Sequence, residues 1–186
     1  MLVPFYLGEQ PDIEGRTIQQ IWAWDFEDLE CQHDYIQWLF PLPERSSFNS
    51  NAPVVDKEVI QAFHANTRLR QNLLHSFTLM LRFYGLQGDS DNNGQFVVTR
   101  SEEYPIRKKE WICPLDHNYL RITRILKCLM ALGLESYAQS FYRCLEQIYR
   151  EESRYIGGET FQYWTNAVKK RVNLTCSYSH SPAEPS

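Results

Sequence analysis

Two short runs hold the side chains best suited to chemistry. The first is HDYIQWLFP, residues 33–41, with His33 and Asp34 at its start and Gln37 four residues after the histidine. Positions four apart share one face of a helix, so His33 and Gln37 are placed to hold a ligand or a phosphate together. The competing reading makes Asp34 a helix cap and His33 a packed, hydrogen-bonded side chain. The second run is DHNYLRITR, residues 116–124. Asp116, His117 and Asn118 open a helix, whose first turn offers unpaired N–H groups and a positive dipole end. Arg121 and Arg124 follow three apart on one face, and Lys127 continues the row. Guanidinium forks match carboxylate and phosphate, so an anion site is physically sensible here. The alternative is structural: the arginines pair with Asp25, Glu27, Asp28 or Glu30 and lock helices together.

Other chemistries have weaker support. DSDNNGQFVVTR, residues 89–100, follows a calcium-loop pattern until its twelfth position. There a chelating glutamate is required and Arg100 stands instead, so an Asn-Gly turn is expected. His33, His64, His75 and His117 are scattered, with no HExxH, and no metal ligand set is expected. Cys31 or Cys113 could form a Cys–His nucleophile, but each lies among aromatics, where a buried inert thiol is expected. No glycine-rich phosphate loop is present, and no cofactor is expected. The basic runs Arg107–Lys109 and Lys169–Arg171 are short and the formal net charge is -4, which argues against nucleic acid.

The elements that must position these groups follow from periodicity. In 186 residues there is room for one domain with a full core. Ile18, Ile21, Trp22, Phe26 and Leu29 fall near helical spacing, with Asp25 placed to cap a break. Residues 35–40 are apolar around most of a helical girth, the mark of an interior helix, and Pro41 and Pro43 stop it. Asp56 reads as an N-cap and Asn66 as a weak point. Leu69, Leu73, Phe77, Met80, Leu81 and Tyr84 then form a long apolar stripe ended by Gly85. Residues 86–100 break the helical period and predict a turn and a small hairpin. Residues 102–114 show little regularity and read as connecting chain. Asp116 is a further expected cap, with Leu115 and Leu120 as a hydrophobic staple. Two helices joined by about three residues follow, then the Gly157–Gly158 separator and a last helix around Phe161, Trp164 and Val168. Residues 173–186 read as a flexible polar tail after a domain spanning 1–172.

The segments WDFEDLECQHDYIQWLFPL, LLHSFTLMLRFYGL and DHNYLRITRILKCLMALGLESYA, in that order and spacing, resemble the opioid growth factor receptor family. The resemblance runs from about Ile18 to about Ala167 and is most specific in YIQWLFP and HNYLRITRIL. It implies an all-α domain with a short irregular insert and no enzymatic activity. For the vertebrate member it implies binding of the opioid peptide Met-enkephalin and action at the nucleus that restrains proliferation. That member also has a long repeat-bearing C-terminal extension, which this sequence does not contain.

The expectation is therefore an all-α, irregular single-domain bundle with a hairpin insert near residues 86–100. Its function is to bind a short peptide or small anion through His33, Asp34, Gln37, His117, Asn118, Arg121 and Arg124. The rival is an enzyme using His33, Asp34, His117 and Arg121, which requires those side chains to meet in one open pocket. A third reading, a protein-interaction module, requires an exposed apolar patch. The start lacks a basic leader region, the cysteines are widely spaced, and no run of roughly 20 apolar residues occurs. A reduced protein of the cytoplasm is expected, or of the nucleus by the resemblance.

Overall fold

The computed structural model describes residues 1–46, 49 and 51–169. Ten helices and one hairpin make up the described chain: α1 (Leu2–Leu7), α2 (Ile18–Trp22), α3 (Phe26–Cys31), α4 (Tyr35–Leu39), α5 (Lys57–Ala65), α6 (Thr67–Phe83), β1 (Leu86–Ser90), β2 (Phe96–Arg100), α7 (Tyr104–Trp111), α8 (Asn118–Ala131), α9 (Glu135–Ile156) and α10 (Gly158–Ala167). The fold is predominantly helical but not strictly all-α. The insert at 86–100 is a paired antiparallel ribbon with Leu86 opposite Arg100 and Ser90 opposite Phe96. Its turn is tied by Asp91, whose carboxylate accepts from the N–H groups of Asn93 and Gln95. Arg100, at the position a calcium loop would give to glutamate, pairs with Glu151 at 2.7 Å.

Local signals set several helix starts. The Asp25 carboxylate accepts from Asp28 N and splits α2 from α3, and Asp56 caps α5 through Val59 N. Asn66 separates α5 from α6 by accepting from Arg68 N and Leu69 N. Gly85 ends α6 at φ 75, a left-handed conformation that glycine adopts without strain. A Cβ there would also lie 2.7 Å from Tyr104 Cα, so the α6 exit and the α7 entry sit against each other.

Two expectations need correction, and one helix falls outside them. The chain at 104–111 is helix, not irregular connection: α7 begins with Pro105 in its first turn, where the missing N–H costs nothing. It buries only Tyr104 and Trp111, too few positions for the periodicity to show. Residues 2–7 are also helical, with Pro4 in the first turn, and bury Leu2, Phe5 and Tyr6. The Leu115–Leu120 staple does not form. Leu115 has φ 62 and is 99% exposed, and Leu120 is 65% exposed. The expected tail at 173–186 lies outside the described residues.

A single apolar cluster runs through the described chain from Leu2 to Val168, and Trp38, Trp111 and Trp164 are fully buried in it. The apolar run of α4 belongs to it: Tyr35, Ile36, Trp38, Leu39 and Phe40 are all buried. The Tyr6 hydroxyl donates to Leu39 O, which fixes the end of α4 against α1. On the far side, α8 packs on both α9 and α10, and Trp164 Nε1 donates to Tyr119 O at 3.2 Å. The polar ends of α4 and α8 are thus held at one surface by a dense interior.

Candidate functional site

The site grows from the junction of α3, α4 and the start of α8. Asp116 Oδ1 accepts from Asn118 N at 2.7 Å and opens α8, with His117 at the cap position. One turn on, the Arg121 side chain reaches the C-terminal end of α3. Its Nη1 donates to Leu29 O at 2.9 Å and to Asn118 Oδ1 at 3.2 Å. Its Nη2 donates to Gln32 O at 2.6 Å and Glu30 O at 3.3 Å. A helix C-terminus presents carbonyls without intrahelical partners and a negative dipole end, and a buried guanidinium answers both. Glu30 Oε2 lies 3.7 Å from Nη1. Of the expected acidic neighbours, Glu30 is the one that pairs, and the backbone carbonyls contribute more of the contact.

The two imidazoles stand over this guanidinium. His33 Nδ1 is 3.3 Å from Arg121 Nη2. The His33 and His117 rings meet edge to face with centroids 5.1 Å apart. His117 Nε2 lies 3.3 Å from Glu30 Oε1 without hydrogen-bond alignment. Burial and the Arg121 charge hold His117 below the ordinary histidine pKa, against the opposing pull of Glu30 and Asp116.

Asp34 does not cap α4 with its side chain. Its two oxygens take a fork from Arg16, Nη1 to Oδ1 at 3.1 Å and Nη2 to Oδ2 at 2.5 Å. Arg16 is itself held by Asp12, Nε to Oδ2 at 2.7 Å, and lies over the Trp24 ring. Burial opposes ionisation of Asp34, but the Arg16 hydrogen bond and charge outweigh it and hold the carboxyl below its ordinary pKa. Gln37 tethers the neighbouring loop: it donates to Ser46 Oγ at 3.3 Å and accepts from Asn49 Nδ2 at 2.8 Å. That loop is closed at its base by a bridge between Leu42 and Val54.

Arg124 differs from Arg121. Nη1 donates to Phe40 O at 3.1 Å, at the end of α4, its one hydrogen bond among the described residues. Burial lowers its pKa, and Glu44 offers only a longer-range charge. His33, Asp34, Gln37, His117, Arg121 and Arg124 all line one open hollow of about 700 Å³, together with Leu120, Thr123 and Lys127. Asn118 lies behind it, fully buried, donating to Glu30 Oε2 at 3.2 Å. The spacing of residues on α8 made Arg121 and Arg124 visible in the sequence. Arg16 was not, because its partner Asp34 is 18 positions away, although Asp12 and Arg16 at i,i+4 were a local hint.

The residues of the enzyme reading do gather around this hollow: Asp34 is committed to Arg16, His33 Nδ1 and Arg121 engage each other, and His117 Nε2 has no hydrogen-bond partner among the described residues. Cys113 is exposed rather than buried, and its thiol donates to Asp116 Oδ2 at 3.1 Å. That hydrogen bond, with some burial, pushes its pKa up to about 11, away from a thiolate nucleophile. Cys31 is exposed as well. The basic run at 107–109 is internally engaged: Arg107 lies over Phe26 and Phe83, and Lys108 pairs with Glu152 at 2.6 Å.

The family model for the opioid growth factor receptor conserved region matches residues 3–176. The chain belongs to this family. A mouse protein named opioid growth factor receptor is 41% identical over 126 residues, 68% of this chain and 19% of that protein. The human protein of that name is 34% identical over 158 residues, 83% of this chain and 22% of its own length. Opioid growth factor receptor-like protein 1 of Xenopus tropicalis is 32% identical over 192 residues, 97% of this chain and 36% of that protein. The chain thus spans between about a fifth and about a third of the length of these relatives. No solved structure matches it significantly. Among the described residues, no helix is long and apolar enough to cross a membrane. The hollow beside α8 is lined mainly from HDYIQWLFP and DHNYLRITR, which overlap YIQWLFP and HNYLRITRIL, the parts most specific to the family resemblance.

Proposed function

We propose that this family domain is a non-enzymatic binding module whose hollow beside α8 takes a short peptide or small anion. The ligand's carboxylate meets Arg124 and Lys127, while Arg121 supports the floor. The observation that carries the reading is the Arg124 guanidinium. It is a part-buried cation in the wall of an open hollow of about 700 Å³, hydrogen-bonded only to Phe40 O among the described residues. A desolvated cation with unused donors favours an anionic partner. The relatives' name, opioid growth factor receptor, makes an opioid peptide the first ligand to test.

Isothermal titration with Met-enkephalin tests this, comparing the wild type with Arg124→Gln and with Lys127→Gln. Lys127 is exposed, so its substitution leaves folding intact. Each loss of a charge-assisted contact weakens binding about tenfold. No heat with well-folded protein, for this peptide and for inorganic phosphate, removes the site.

A further inference from the structure

A second hollow, about 390 Å³, adjoins the first. The two share Leu42 and Lys127. Together they follow one face of α8: His117, Leu120, Arg124 and Lys127 line the first, and Lys127, Met130 and Ala131 the second. These positions recur at spacings of three and four, so they form a continuous stripe. From His117 to Ala131 the helix rises about 21 Å, the length of about six extended residues.

The two ends differ in chemistry. The first hollow presents Arg124 and Lys127, and its acid, Asp34, is neutralised by Arg16. The second is lined by the apolar Leu42, Ile60, Met130 and Ala131, and its charges, Glu44 and Glu135 against Lys127 and Lys169, balance. It therefore has apolar surface to offer and no net pull on a second anion. The rise from Arg124 to Met130 is about 9 Å, matched by about three residues of extended chain.

Resting on the peptide-binding reading above, we propose that the second hollow is an apolar side-chain subsite of the same site. The occupant is an extended peptide segment whose carboxylate lies at Arg124 and Lys127. An apolar side chain three residues away enters between Leu42, Ile60 and Met130. Lys127 is the ridge between the two, and its flexible stem packs along the peptide backbone while its ammonium faces the carboxylate.

The probes are three synthetic tetrapeptides: acetyl-Leu-Ser-Ala-Ser with a free carboxylate, the same peptide amidated, and acetyl-Ser-Ser-Ala-Ser with a free carboxylate. The readout is the methyl NMR spectrum of protein labelled at its three methionines, Met1, Met80 and Met130, assigned with Met130→Leu. Met80 is fully buried in the core and serves as the internal control. The leucine peptide is expected to shift the Met130 methyl and leave Met80 in place. Replacing its leucine by serine weakens binding about tenfold and abolishes the Met130 shift. Amidation, or Lys127→Gln, weakens binding about tenfold while the residual complex still shifts Met130. Equal, Lys127-dependent binding of the leucine and serine peptides with Met130 unmoved overturns the subsite and leaves the carboxylate site standing. Binding of Met-enkephalin in the calorimeter with no response to any tetrapeptide also overturns the subsite alone. Silence in both experiments overturns the two together.

Discussion

Replacing Arg121 tests how the site is held. Its side chain is 4% exposed, and the guanidinium gathers Leu29 O, Glu30 O, Gln32 O and Asn118 Oδ1 into one cluster. In Arg121→Met, Leu29 O retains the Tyr35 hydroxyl at 3.0 Å, and water reaches Gln32, which is exposed. The Asn118 side chain and Glu30 lose their cation. The lost packing of the Arg121 stem, the buried Asn118 side chain left short of a partner and the part-exposed Glu30 left without its cation cost about 3 kcal/mol in all. With a urea slope near 2 kcal/mol/M, the unfolding midpoint falls about 1.5 M. Arg121→Lys keeps the charge but cannot reproduce the fork, and costs about 2 kcal/mol. Urea denaturation followed by tryptophan fluorescence reads both. A loss below about 1 kcal/mol for Arg121→Met means that water substitutes for the guanidinium, and the claim that α8 anchors α3 through it is refuted.

The Arg16–Asp34 fork joins the early loop to α4, and a double-mutant cycle with Arg16→Met and Asp34→Asn is expected to give about 1–2 kcal/mol of coupling at low salt; zero coupling contradicts it. Because the folded Asp34 carboxyl titrates below its ordinary value, its contribution is present above that value and is lost as pH falls through the lowered one. Between about pH 5 and about pH 2 the wild-type midpoint therefore drops more steeply than that of Asp34→Asn, and parallel curves count against the fork. Cys113 is exposed yet held as thiol by Asp116, so Asp116→Asn, which keeps the α8 cap oxygen, is expected to speed its alkylation severalfold by mass spectrometry, and an unchanged rate contradicts that assignment.

What the sequence made legible is what short-range physics controls. Asp25 and Asp56 announce helix starts because a cap needs only its own chain three residues on, while Asn66 shows only as a weak point. The Asn-Gly turn announces the hairpin for the same reason. The stripes of α6, α8 and α9 show because each buries a face at regular spacing. By contrast, α7 hides because two buried aromatics, Tyr104 and Trp111, make no stripe, and Pro105 looks like a breaker while occupying a first turn. Leu115 fails as a staple because its backbone turns left-handed and swings it into solvent. At the site, residue types on α8 were readable, but the choice between an internal and an outward role was not. Arg121 and Arg124 stand three positions apart on one side of α8, and both line the hollow. Only the third dimension puts the carbonyls of α3, about 90 residues earlier, around the first and an open hollow beside the second.

Arginine side-chain NMR during titration with Met-enkephalin tests the central claim most directly. The account predicts that the Nε–Hε resonance of Arg124 moves with saturation while that of Arg121, already enclosed by carbonyls, stays in place. A titration in which Arg124 remains unmoved, or in which only residues away from the α8 hollow respond, contradicts it.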